Sequence, residues 1–247
     1  MAFQNVLKRY ELKYKLTLEQ KEKVLKAKKP YKKLDKYGRT TIRNIYYDTD
    51  TYLLIRRSIE KTVYKEKLRV RSYSKATADS TVFVQLKKKH KHIVYKRRIS
   101  LPYKEATQWL SGDKHTDTHT QISDEIDYFL DNYNTLYPKV FLSYEREAYC
   151  SDDGSDFRVT FDDTILCRQD DLSLDSDVYG TPILEKGQVL MEIKCSGGIP
   201  LWMTEILSKE KIYKTSFSKY GTAYRMLIFP QTHTMNSYNR MEVNSND

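Results

Sequence analysis

The sequence has 247 residues, 39% hydrophobic and 31% charged, enough for one large domain or two small ones with a core and a very polar surface or interior. Lys and Arg number 43 against 33 Asp and Glu, a formal net charge of +10, which points to a polyanionic partner: nucleic acid, a phosphate compound or an anionic membrane surface. Three distant cysteines (Cys150, Cys167, Cys195) without CxxC spacing support neither a zinc site nor a disulfide framework, and no apolar run approaches the ~18 residues of a spanning helix, so a soluble, cytoplasmic protein is expected.

Residues 6–16 alternate with the period of a strand. Tyr10, Leu12, Tyr14 and Leu16 share one face; Arg9, Glu11, Lys13 and Lys15 share the other. Thr17 and Gln20 read as a capping box that opens a helix to about Lys28, with Pro30 at its exit. Residues 32–39 read as a polar turn region, 40–48 as a second strand, and 50–59 as a short helical or irregular link carrying Arg56 and Arg57.

The alternation is strictest in the third strand, 63–73. There Leu68 and Val70 point one way and Lys65, Lys67, Arg69 and Arg71 the other. Like charges about 7 Å apart on one face repel, so that face needs water, salt or an anion. Residues 80–89 follow with Val82, Val84 and Leu86 opposite Phe83, Gln85 and Lys87. A basic turn at 88–92 joins them to 93–101, where Val94, Lys96 and Arg98 share a face, giving an antiparallel hairpin.

Pro102 as first helical residue opens a helix to about Leu110. A Thr-rich loop over 111–121 leads to a helix capped by Ser123, with Ile126, Phe129 and Leu130 inward. Strands are expected at 140–150 (Leu142, Tyr144 and Arg146 on one face), 156–162 (Arg158, Thr160 and Asp162 facing away from the apolar side) and 188–195 (Glu192 and Lys194 opposite Val189, Met191 and Ile193). The turn Asp152-Asp153-Gly154 separates the first two, and 166–187 is acidic and irregular. Pro200 starts a helix to about Lys211, and 214–221 is a loop entering a last helix at 218–226. Residues 1–229 read as one domain and 230–247 as a polar, disordered C-terminal tail.

The pattern predicts an α+β fold of about eight mostly antiparallel strands with flanking helices, a number that can close into a barrel. Two arrangements satisfy the alternation. The apolar rows can pack outward against helices, leaving the charged rows to line a lumen, or the barrel can be inverted with its charges in water. His90-x-His92 and His115-x-x-x-His119 fall in hydrophilic turns and read as surface histidines. Trp109 and Trp202 read as helix packing. No P-loop or GxGxxG occurs.

At these charged rows the chain resembles the VTC (vacuolar transporter chaperone) domain family, the polyphosphate polymerase branch of the triphosphate tunnel metalloenzymes. The likeness rests on Arg9-Tyr10-Glu11-Leu12-Lys13-Tyr14, Tyr46-Tyr47-Asp48-Thr49 with Tyr52 and Arg56, and Tyr64-Lys65-Glu66-Lys67-Leu68-Arg69-Val70-Arg71-Ser72-Tyr73. It continues through Val82-Phe83-Val84-Gln85-Leu86-Lys87, Tyr95-Lys96-Arg97-Arg98, Tyr144-Glu145-Arg146 and Phe157-Arg158-Val159-Thr160-Phe161-Asp162. Met191-Glu192-Ile193-Lys194 and Phe217-Ser218-Lys219-Tyr220-Gly221 complete it.

The resemblance implies a closed antiparallel β-barrel, an eight-stranded tunnel whose charged rows face inward. It implies an ATP-dependent polyphosphate polymerase. Lys13, Arg56, Arg69, Arg71, Lys87, Lys96, Arg146, Arg158, Lys194 and Lys219 would act on the phosphates, and Tyr144, Ser218 and Lys67 would bind the substrate. Glu192 and Glu11 would hold Mn2+ or Mg2+. Where the wider superfamily has a Glu-x-Glu-x-Lys signature, the first Glu position here is Arg9. The partners implied are ATP and inorganic polyphosphate, with no nucleic acid as physiological substrate and no transmembrane segment. The alternatives are a tunnel triphosphatase or cyclase relative and a non-catalytic polyanion-binding module.

Overall fold

The computed structural model describes residues 10–28, 32–91, 93–133, 135–151 and 155–230; side chains are described for these except at 28 and 32–37. Strand β1 (Tyr10–Thr17) leads into α1 (Leu18–Lys28) through the expected capping box. The Thr17 amide donates to Gln20 Oε1 at 3.0 Å and the Gln20 amide donates to Thr17 Oγ1 at 3.1 Å. Next come β2 (Lys32–Asp48), α2 (Leu53–Ile59), β3 (Tyr64–Ser72), β4 (Thr81–His90), β5 (Ile93–Pro102), α3 (Tyr103–Ser111) and α4 (Gln121–Tyr133). After β6 (Tyr137–Ser151), β7 (Arg158–Arg168), β8 (Thr181–Pro182) and β9 (Gln188–Cys195) come α5 (Leu201–Lys209), β10 (Lys214–Thr215), α6 (Lys219–Ala223) and a π-helical turn at Tyr224–Ile228.

Among the described residues the strands form one ten-stranded sheet in the order β10-β1-β9-β7-β6-β2-β3-β4-β5, with β8 beside β7. The expected closed barrel of eight strands is therefore corrected to an open sheet. It is strongly curled nonetheless: Lys13 on β1 donates to the Phe217 carbonyl at 3.0 Å, while Lys67, five strands away on β3, reaches Ser218 Oγ at 3.2 Å. Strand twist accumulated over many strands bends such a sheet into a trough. A physical reason for the open seam lies in its charge. Bringing β5 up to the β10–β1 edge would draw Lys96 and Arg98 towards Lys13, with Glu11 the only carboxylate on the inner rows of β1 and β5.

The outer face is apolar, as the alternation predicts. Leu68, Val70, Val84, Leu86 and Ile99 pack under Trp109 of α3 and Ile126 and Phe129 of α4, and Leu16, Val189, Met191 and Ile193 pack under Val24 of α1 and Met203 of α5. The inner face is not wholly charged. Ile42, Leu142 and Leu190 lie on it and are covered by Phe217, Tyr220, Tyr224 and Ile228, so α6 and the π-helical turn plug one end of the trough with an apolar cluster. The Tyr220 hydroxyl donates to the buried Asp48 carboxylate at 2.9 Å, which also accepts the amides of Leu54 and Ile55 and so ties the plug to α2.

Several boundaries differ from the sequence reading. β2 begins at Lys32, within the stretch expected to be a turn, and β7 continues to Arg168, into the stretch expected to be irregular. Residues 214–215 form β10 rather than loop. Ser123 does not cap α4; Thr120 precedes the helix, and Ser123 Oγ accepts its amide at 2.7 Å as the third-residue partner. Pro102 precedes α3 as its cap rather than entering it. Trp109 packs in the core with its indole N–H on Asp127, and Trp202 stacks edge-on against Phe157. His92, Pro30, the turn at 152–154 and the tail beyond 230 lie outside the described residues.

Candidate active site

The positions that face the trough can be read across the ladders. Lys13 opposes Glu192, Glu192 opposes Thr160, and Arg158 opposes Lys194. Asp162 opposes Arg146, Asn44 opposes Arg71, Tyr46 opposes Arg69, Arg69 opposes Gln85 and Gln85 opposes Arg98. Lys67, Lys87 and Lys96 form one further row. Residues directly opposite on paired strands share a face. Among the described residues this face carries at least eleven Lys and Arg side chains, the ten on the ladders just named and Lys219 from α6, and they surround the carboxylates Glu11, Asp162 and Glu192. So large an excess of one sign on a concave surface focuses the field and calls for an anionic occupant.

The carboxylates divide the trough into two zones. In the first, Asp162 is fully buried and accepts from Arg146 Nε and Nη2 at 2.6 Å each and from Lys219 Nζ at 2.5 Å. Burial raises its pKa, but Lys219 and Arg146 outweigh that and hold it below the usual carboxylate range. Glu192 lies among four cations: Lys219 at 3.4 Å, Lys194 at 3.5 Å, and Lys13 and Arg146 at 3.6 Å. Burial again pushes upward, and these cations again win, leaving Glu192 well below its ordinary value. Glu11 joins through Lys13 at 3.4 Å, and its own pKa falls because Lys87 and Lys13 overcome burial and the Glu192 charge.

In the second zone, on β2 to β5, the cations are held by neutral groups. Arg69 donates to Gln85 Oε1 at 2.9 Å and to the Tyr46 hydroxyl at 3.0 Å. Arg71 donates to Asn44 Oδ1 at 2.9 Å and to the Tyr144 hydroxyl at 2.8 Å. The Arg98 guanidinium stacks 3.6 Å from the Phe83 ring centroid. Lys67 and Lys96 are each pulled down to about 8, by desolvation first and by neighbouring cations after it. These groups keep a positive field that no carboxylate of the same zone cancels.

The structure thus brings together Lys13, Lys67, Arg69, Arg71, Lys87, Lys96, Arg146, Lys194, Lys219, Tyr144, Ser218, Glu11 and Glu192. Tyr144 sits between the zones, with the Arg146 and Lys219 cations 5.0 and 4.5 Å from its ring centroid. Ser218 accepts Lys67 Nζ and caps α6 through the Gly221 amide. Arg158 lies on the same face beside Lys194 but is exposed. Arg56 is on α2, not on a strand; it is exposed, and its charge acts on Tyr224 at the plugged end. The sequence reading gave no site role to Asp162, Asn44 or Tyr46, and noted Gln85 only as a position where the resembled family can carry an acid, which left the number of metal ions open. Asp162 was legible in part, since it shares the Arg158 face by alternation; the other three are neutral and become visible only when the ladder registers set them against arginines.

No group of three or more His, Cys, Asp or Glu that could hold a metal occurs among the described residues. An all-protein cage is therefore absent there. Mg2+ and Mn2+ sites in phosphoryl-transfer proteins commonly use one or two carboxylates, with phosphate oxygens and water completing the shell. Glu192 and Glu11, linked through Lys13, fit that pattern. His90 and His115 are exposed and stand apart from it.

The VTC domain profile matches residues 8–228. Among solved structures, a proposed adenylate cyclase from Bacillus halodurans superposes with a TM-score of 0.53 at 15% identity, covering 89% of this chain and 99% of that one. A proposed adenylyl cyclase from Hippeastrum, described as having a dominant triphosphatase activity, gives 0.49 at 15% identity over 87% and 94%. A proposed adenylate cyclase from Vibrio parahaemolyticus gives 0.44 at 12% over 87% and 96%. The first of these likenesses establishes a shared fold. Among curated proteins none matches the chain. No helix among the described residues is long and apolar enough to cross a membrane.

Proposed function

The chain belongs to the VTC domain family, and from that premise we propose that it is a metal-dependent polyphosphate polymerase, transferring the γ-phosphoryl group of ATP to the end of a polyphosphate chain lying in the trough. The observation that carries this reading is the large excess of cations, at least eleven, over the carboxylates Glu11, Asp162 and Glu192 along one concave face. A single triphosphate needs fewer partners than this; a repeating polyanion uses the whole length.

The chemistry asks for positioning and charge neutralisation more than for a protein nucleophile. Arg69 and Arg71, fixed by neutral acceptors, present their remaining guanidinium N–H groups to phosphoryl oxygens, and Lys67, Lys87 and Lys96 add point charges along the same wall. Asp162 pins Arg146 and Lys219 so that both face the reacting end without drifting. Glu192 and Glu11 would hold Mn2+ or Mg2+, which when bound supplies Lewis-acid polarisation of the transferred group. The terminal oxygen of the chain attacks the γ-phosphorus, the bond to the β-phosphate oxygen breaks, and ADP leaves. Arg9, in place of the superfamily's first Glu, lies outside the described residues.

A second reading follows from the open seam between β5 and the β10–β1 edge. Water reaching the trough there would make the same residues a triphosphatase. Incubation with radiolabelled ATP and Mn2+ separates the outcomes: acid-labile polymer with ADP supports the polymerase, free phosphate without polymer supports the hydrolase, and cyclic nucleotide supports neither. If ATP is untouched while polyphosphate binds, the domain is a binding module.

A further inference from the structure

Gln85 occupies the centre of the cationic wall, 2% exposed, on β4 between Arg69 of β3 and Arg98 of β5. Its side-chain oxygen accepts Arg69 Nε at 2.9 Å. A guanidinium has donors only, so the atom at that contact must be the oxygen, and the other end of the amide must be Nε2. That Nε2 is buried and has no hydrogen-bond partner among the described residues. Its cross-strand neighbours, Arg69 and Arg98, can only donate. No described residue offers it an acceptor, so an oxygen of a ligand in the trough is the candidate partner.

We infer that Gln85 is a positioning residue for a phosphoryl oxygen bound between Arg69 and Arg98, holding Arg69 without cancelling its charge and supplying one further N–H donor to that oxygen. This deepens the polyphosphate reading and rests on it. The contrast with Arg146 gives the reasoning its edge. Asp162 takes two donors of Arg146 and its charge as well, whereas Gln85 and Tyr46 take two donors of Arg69 and leave the charge whole. Arg98 is held by an aromatic face, which also leaves its charge intact. The three side chains form an anion subsite that needs no metal. Glu at position 85 would keep the hydrogen bond to Arg69, add one to Arg98, cancel one charge and lose the donor.

The test is calorimetric titration of tripolyphosphate into the whole chain in EDTA, with melting temperatures to confirm folding. Wild type binds. Gln85→Glu binds about tenfold or more weakly, through loss of a charge-assisted donor and gain of a repelling charge, and Mn2+ restores much of the loss because the new carboxylate can take a cation. Gln85→Ala weakens binding about threefold, and Mn2+ restores nothing. Equal weakening of both variants with no difference in their response to Mn2+ would mean a packing role alone and would overturn the inference. So would a Gln85→Glu affinity within twofold of wild type. Failure of wild type to bind tripolyphosphate at all would overturn the polyphosphate reading, and this inference with it.

Discussion

Replacing Asp162 by Asn removes one charge at nearly constant volume from a site where that charge is buried completely. The wild-type carboxylate accepts three hydrogen bonds, two from Arg146 and one from Lys219. An amide offers one acceptor oxygen and turns an NH2 group towards a cation. Breaking a buried ion pair by deleting one partner costs about 3–5 kcal/mol. Glu192 stays within 3.4 Å of Lys219 and 3.6 Å of Arg146 and takes up part of the imbalance, so the lower end, about 3 kcal/mol, is expected. For a chain of this size that lowers the melting temperature by about 6–12 °C. Tripolyphosphate should raise the melting point of the variant more than that of wild type, because phosphoryl oxygens replace the missing carboxylate. The pH dependence adds a sign. The folded pKa of Asp162 is depressed, so its contribution is present at neutral pH and lost as pH falls through the folded value, and the Asn variant should show a flatter acid limb. Scanning fluorimetry with and without tripolyphosphate reads all three. Melting within about 2 °C of wild type, with an equal ligand shift, would refute the claim that this carboxylate organises the site.

Other outcomes follow from the same geometry. Lys67 and Lys96 have folded pKa values of about 8, so tripolyphosphate affinity should fall from pH 7 to pH 9 by about tenfold for each lysine that must be reprotonated to bind. The ligand-free protein should move the other way, gaining stability as pH rises from about 8, because these lysines bind fewer protons folded than unfolded; calorimetry at the two pH values that showed tighter binding at pH 9 would contradict this. Arg69→Ala or Arg71→Ala should cut polymer synthesis by about 100-fold or more while the domain still melts cooperatively, and full synthesis by both variants would count decisively against the assignment. Glu192→Gln should abolish the stimulation of turnover by Mn2+ without weakening tripolyphosphate binding in EDTA, measured by a metal titration of initial rate; an unchanged Mn2+ dependence would remove Glu192 from the metal site.

Local physics was legible in the sequence where one periodicity ran uninterrupted. The strand 188–195 and the Thr17–Gln20 box follow directly from alternation and capping chemistry. Alternation failed where the backbone breaks phase. In β7 one extra residue, with Thr164 at φ 47°, shifts the register against β6 between Ser143 and Glu145, so the period-two pattern stops at Asp162 although the strand runs on. β2 was shortened because 32–39 is polar and contains Gly38 at φ 60°, while the register irregularity between Leu34 and Arg39 lets pairing with β6 resume. Whether the sheet closes depends on contacts between its first and last strands, which no local pattern encodes. The charged rows were visible as rows; the neutral acceptors that keep Arg69 and Arg71 uncompensated were not, since Asn44, Tyr46 and Gln85 carry no charge signal of their own.

A crystal structure of the whole chain with tripolyphosphate and Mn2+ tests the central claim most directly. The account predicts phosphoryl groups in the trough, between the Arg69–Arg71 wall and the Lys13–Arg146–Lys219 cluster, with the metal on Glu192 at the end nearest Glu11. Phosphate density confined to the outer surface, with the trough filled by its own side chains, would contradict it.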